Sequence, residues 1–136
     1  MLKVQILICA YHSENHISDV RALLGDGDLL ERDLGEVNDL GLPSPQTVWL
    51  AILGRQSDLD AIDKAATWIE KKRANIERLA KEGWEIRISL DLSASDPVSS
   101  VVLSNRFLSQ LAHHRDIEFE VTVFPQPSTA LEYPGS

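Results

Sequence analysis

The chain has 136 residues, about one domain by length and long enough to bury an independent core. A composition of 43 % hydrophobic and 25 % charged residues excludes a disordered, collagen-like or low-complexity polypeptide, and a net charge of −8 excludes the basic footprint of non-specific nucleic-acid binding. The single cysteine, Cys9, excludes an intrachain disulfide and leaves a cysteine-based zinc site without enough ligands.

Leu2 to Ala10 reads as a first strand, with Val4, Ile6 and Ile8 on one face and Leu7 and Cys9 following Gln5 on the other. Ser13 or Asn15 can cap a short helix whose stripe is Ile17, Val20, Leu23 and Leu24, and Gly25 ends it. Asp26 to Leu42 is the least regular and most acidic stretch. It sets Asp26, Asp28, Glu31, Asp33, Glu36 and Asp39 against Arg32 alone. Leu29, Leu30, Leu34 and Val37 tether it through no more than a short helical turn, and Pro43 and Pro45 close it.

Gln46 to Leu53 is a strand apolar on both faces, which belongs in the middle of a sheet. Val48, Leu50 and Ile52 share one face; Trp49, Ala51 and Leu53 share the other. Ser57, Asp58 and Asp60 open a long helix to about Glu82, with Leu59, Ile62, Ala66, Ile69, Ile76 and Leu79 at helical spacing. Its charges pass from acidic to basic along its length, matching the helix dipole, and Gly83 stops it. Glu85 to Leu92 alternates, with Ile86, Ile88, Leu90 and Leu92 inward. Asp96-Pro97 breaks the pattern. Ser104 caps a third helix to about His114, with Phe107, Leu108 and Leu111 as its stripe. Ile117 to Phe124 alternates again as a last strand.

Two strands with one wet face place the helices on the other face only. The expectation is an α+β two-layer sandwich with a four-stranded mixed or antiparallel sheet, a single domain over 1–124 and a flexible tail over 125–136. No apolar run matches a signal peptide or a membrane span, and with one unpaired thiol this points to the cytoplasm.

The second half, with TVWLAIL, DLDAIDKAATWIEKKRANIERLAKEG, WEIRISLDL, LSNRFLSQLA and IEFEVTVF in that order, resembles bacterial proteins grouped as domain of unknown function family 4279. The resemblance spans roughly residues 2 to 124. It implies a small cytoplasmic bacterial α+β domain without assigned chemistry, similar to the immunity proteins that neutralise bacterial toxins.

No sequence motif assigns a reaction. His12, Glu14 and His16 form the one local group of metal-ligand types, but the H-E-x-x-H spacing is not met and a capping role explains them as well. His113 and His114 suit the negative end of a helix dipole. Cys9 reads as a small buried hydrophobe. Asp91, Glu118 and Glu120 fall on the outer faces of the last two strands, where ordinary solvation is expected. Gly25 to Asp33 fails the calcium-loop pattern, because Glu31 stands where the turn requires glycine.

The sequence therefore points to a non-enzymatic, protein-binding domain without cofactor or metal. It offers Asp26, Asp28, Glu31, Asp33, Glu36 and Asp39 to a basic partner such as a nuclease toxin, with Trp49 as an apolar anchor. Trp49 in the helix-facing core is an equally good assignment. Nucleic acid and membrane are not expected partners. The alternatives are a self-associating structural or regulatory module, and a small metal-dependent enzyme built on the His12 group.

Overall fold

The computed structural model describes residues 2–54, 60–94, 101–114 and 117–125. Elements follow as β1 (Leu2–His12), α1 (Ile17–Leu24), β2 (Leu30–Arg32), β3 (Thr47–Gly54), α2 (Ala61–Lys71), α3 (Arg73–Lys81), β4 (Glu85–Ala94), α4 (Asn105–His113) and β5 (Ile117–Pro125). They form an α+β fold around one five-stranded sheet in the order β2-β3-β1-β4-β5. The β4–β5 pair is parallel and the other three pairs are antiparallel.

The sheet has one strand more than expected. The addition is β2, three residues within the acidic stretch that had read as irregular, pairing Leu30 with Leu50 and Arg32 with Val48. A three-residue strand with two charged members carries no readable alternation. The long helix is also two helices. Its apolar stripe would require hydrophobic residues at positions 72 and 73, where Lys72 and Arg73 stand, and the chain departs from helical geometry at Lys72 (φ −97°, ψ 9°). The Ser57 and Asp58 cap, the Asp96-Pro97 break and the tail beyond 125 lie outside the described residues.

The four helices of the described residues pack on one face. Ile6, Ile8 and Ala10 of β1, Trp49 and Ala51 of β3, and Ile86, Ile88 and Leu90 of β4 meet Ile17, Val20, Ala65, Ile69, Ile76, Leu79 and Phe107 from the helices in a single core. Register explains the arrangement: Ala10 lies opposite Trp49 and Ile86, and Ile8 opposite Ala51 and Ile88, so all share a face. Of the stripe expected on α4, Phe107 is buried and Leu111 half-buried. Leu108 is exposed, and Gln110 takes the inner position, accepting a hydrogen bond from Arg73 at 2.9 Å.

The helix layer stops short of β5. Phe119, Val121 and Val123 lie beside Ile88, Leu90 and Leu92 on the helix side, yet all three remain exposed.

Candidate functional site

The acidic stretch is an ordered structure whose carboxylates divide into two groups. Four of them have partners within the fold. Glu31 receives Arg21 and the Gly27 N–H (2.7 Å), and the Arg21 hydrogen bond holds its carboxyl below the ordinary carboxylate range. Asp33 accepts from the Ile17 N–H at 3.0 Å and the Leu34 N–H at 2.8 Å, and lies 3.0 Å from His16 Nδ1. Desolvation opposes its charge, but these partners outweigh it and depress its pKa. Asp28 accepts from the Ile52 N–H at 3.0 Å, and Asp26, itself highly exposed, sits 3.7 Å from Arg21.

Glu36 and Asp39 belong to the second group. Neither has a side-chain hydrogen bond or ion pair among the described residues; Glu36 immediately precedes, and Asp39 lies within, a small hairpin closed by the bridge between Val37 and Pro43. Asn38 organises its tip. Its Oδ1 accepts from the Leu40 N–H (2.9 Å) and the Leu42 N–H (3.0 Å), its N–H donates to the Leu42 carbonyl, and its carbonyl accepts from the Gly41 N–H. Gly41 has φ +78°, a conformation that a Cβ would strain. At the base, Gly35 and Ser44 exchange backbone bonds with the same segment, Gly35 N–H to Ser44 O and Ser44 N–H to Glu36 O.

This framework presents apolar side chains to water. Leu40 is 83 % exposed, Val37 63 % and Leu42 58 %. Most surface loops carry polar tips, so three exposed aliphatic residues on a hydrogen-bonded frame are the feature that stands out. In the sequence Val37 reads as a tether, and nothing periodic marks Leu40 and Leu42. The turn residues Asn38 and Gly41 were the signal that could have located them.

Trp49, the expected anchor, lies in the core at 0 % exposure. Its indole N–H donates to the Gly25 carbonyl at 3.0 Å, and its Cδ1 would lie 2.9 Å from any Cβ at position 27, which only glycine avoids. It cannot touch a partner, and this settles which face of β3 is covered. The face away from the helices carries half-buried Val48, Leu50 and Ile52 beside Leu7, Cys9 and Tyr11, followed by Arg87, Asp91, Glu118 and Glu120. Arg87 pairs with Glu118 (3.0 Å) and Glu120 (3.4 Å), while Asp91 accepts from the Ser89 hydroxyl. Burial raises the Cys9 pKa, so the thiol stays protonated. Burial and a hydrogen bond with Cys9 push Tyr11 up to about 12.

His12 and His16 have structural partners. His12 Nδ1 accepts from the Glu14 and Asn15 N–H groups, both at 2.9 Å, so its proton sits on Nε2 and donates to the Glu82 carbonyl at 2.9 Å. Both ring nitrogens are thereby engaged, and the ring packs edge-on to Trp84 at 5.1 Å. Glu14 is exposed, and His16 is engaged with Asp33. Among the described residues no three His, Cys, Asp or Glu side chains are grouped to hold a metal ion.

Elsewhere, a groove of about 220 Å³ between α3, α4 and the start of β5 is lined by Glu77, Lys81, His113 and His114. His113 Nε2 lies 2.8 Å from Glu77, while His114 is buried with Nε2 unpartnered. Burial, with help from His113 and Arg73, lowers the His114 pKa against the opposing pull of Glu77.

Compared with protein-family models, with curated proteins and with solved structures, the chain matches none. No helix of the described residues is long and apolar enough to cross a membrane.

Proposed function

We propose that this is a non-enzymatic, immunity-like protein-binding domain that offers an acidic surface with an apolar tip to a basic protein such as a nuclease toxin, and that it belongs with the small cytoplasmic bacterial proteins it resembles. One observation carries the reading: Leu40 and Leu42 stand in water on a hairpin whose backbone is held by Asn38, in the same segment as the unpaired carboxylates of Glu36 and Asp39. Holding the tip in one shape before contact removes part of the ordering cost that binding otherwise incurs. The flanking carboxylates attract a basic surface and accelerate encounter, and a net charge of −8 acts in the same direction. Asp26 and Asp28 extend the negative rim towards β3. The contact residues of this reading are Asp26, Asp28, Glu36 and Asp39, with Leu40 and Leu42 in the anchoring role that the sequence had given to Trp49.

The test is affinity capture from the native host at low and high salt, using the protein and its Glu36→Gln, Asp39→Asn double variant. The reading expects a basic protein, released as salt rises, with weaker retention by the variant. Retention that is indifferent to both salt and variant overturns it.

A further inference from the structure

We propose that β5 is a homodimerisation edge, pairing antiparallel with β5 of a second copy about a two-fold axis perpendicular to the sheet. The two edges of the sheet differ sharply. β2 is three residues long and carries Glu31 and Arg32, the usual protection against further pairing. β5 is nine residues long, terminal in the strand order among the described residues, and contains neither lysine nor, before its last residue, proline. Its helix-side residues Phe119, Val121 and Val123 are exposed where the helix layer ends, with Leu108 of α4 exposed too. Phe107 touches this strip edge-on, at 6.1 Å from Phe119, but leaves the rest open.

The strand is complementary to itself in the register that overlaps its whole length. A two-fold axis perpendicular to the sheet keeps each side chain on its own face, and overlap of all nine residues centres the axis on Val121. Phe119 then faces Val123 of the second copy, and Glu120 faces Thr122. Glu118 faces Phe124, which is exposed on the opposite side of the strand. Axes on Phe119 or Glu120 would instead set Glu118 against Glu120 or Glu120 against itself. The Val121 register avoids any like-charge pair, and both glutamates are already held by Arg87 of their own chain. The result is a ten-stranded sheet with both helix layers on one side and both opposite faces on the other. Each acidic hairpin lies at the far, β2 end and stays free, so the dimer is compatible with two partners bound at once.

The contact is one strand plus a strip of side chains, at or below the about 800 Å² per partner of a standard interface, so a weak, concentration-dependent dimer is expected. Sedimentation of the full chain from about 5 to 500 µM should show the mass rising from 15.1 kDa towards twice that value. Val121→Lys should remove the rise while leaving the far-ultraviolet circular dichroism unchanged. Independently, Val121→Cys in a Cys9→Ser background should crosslink to itself on mild oxidation, because Cα atoms facing each other across the axis would be about 4.5–5.5 Å apart. Leu42→Cys in the same background should not. A monomer at every concentration, a Val121→Lys protein that dimerises as the parent does, or a Val121→Cys protein that fails to crosslink would each overturn the proposal.

Discussion

The carboxylate of Asp33 accepts a hydrogen bond from the Ile17 amide at 3.0 Å, so a residue of the acidic stretch serves as the cap of α1 from sixteen positions away. Ile17 is the first residue of that helix, and its amide has no partner within the helix. Asp33→Ala should therefore lower stability by about 1 kcal/mol, as loss of a helix cap does, measurable by urea denaturation. The folded pKa lies below the ordinary 3.8, so this stabilisation is present above pH 3.8 and is lost as pH falls through the depressed value. The gap between parent and variant should close in that acidic window.

His12→Ala should cost about 1–2 kcal/mol, because it leaves the Glu14 and Asn15 amides without their acceptor and removes the tie to the Glu82 carbonyl. His12→Asn, which keeps a side-chain acceptor near the Nδ1 position, should recover part of it. A chemical-denaturation series of the two variants decides the point, and addition of a chelator should leave the parent curve unchanged.

Trp49→Ala should destabilise by about 3–5 kcal/mol, the range for truncating a buried large aromatic residue. Leu40→Ser and Leu42→Ser should each fall within about 0.5 kcal/mol of the parent, since both side chains are largely in water. Thermal melts of the three proteins separate a core tryptophan from surface leucines without reference to any partner.

His114 is buried and its pKa lies below the ordinary 6.5. For a depressed group the stabilisation is complete above 6.5 and is lost as pH falls from there through the folded value. Denaturation midpoints should decline over that interval, and His114→Phe should flatten the decline.

Much of this fold was legible because alternation is a physical constraint. In β4, Ile86, Ile88 and Leu90 point inward for the reason their spacing implies, and the Ser104 cap of α4 forms its bond with the Phe107 amide at 3.2 Å. In β3 the signal was symmetric, since Val48, Leu50 and Ile52 are as apolar as Trp49 and Ala51. Cross-strand register with Ala10 and Ile8, together with the Gly25 carbonyl waiting for the indole, breaks that symmetry, and neither is local in sequence. For β5 the alternation was readable, but where the helix layer ends depends on tertiary packing. The site was partly legible: the concentration of acid at 26–39 marked the segment. It did not separate Glu31 and Asp33, used internally, from Glu36 and Asp39, because the partners Arg21, Ile17 and Gly27 become apparent only after folding. Leu40 and Leu42 sit in a turn and belong to no helical or strand stripe, so periodicity does not mark them.

The most direct test of the central claim is a side-by-side capture experiment with the parent protein and a Leu40→Ser, Leu42→Ser double variant, both confirmed folded by circular dichroism. The account predicts that the parent retains a basic protein from the host extract at low salt and that the variant, with an unchanged spectrum and melting curve, does not. A folded double variant that retains the same protein as strongly as the parent would contradict the account.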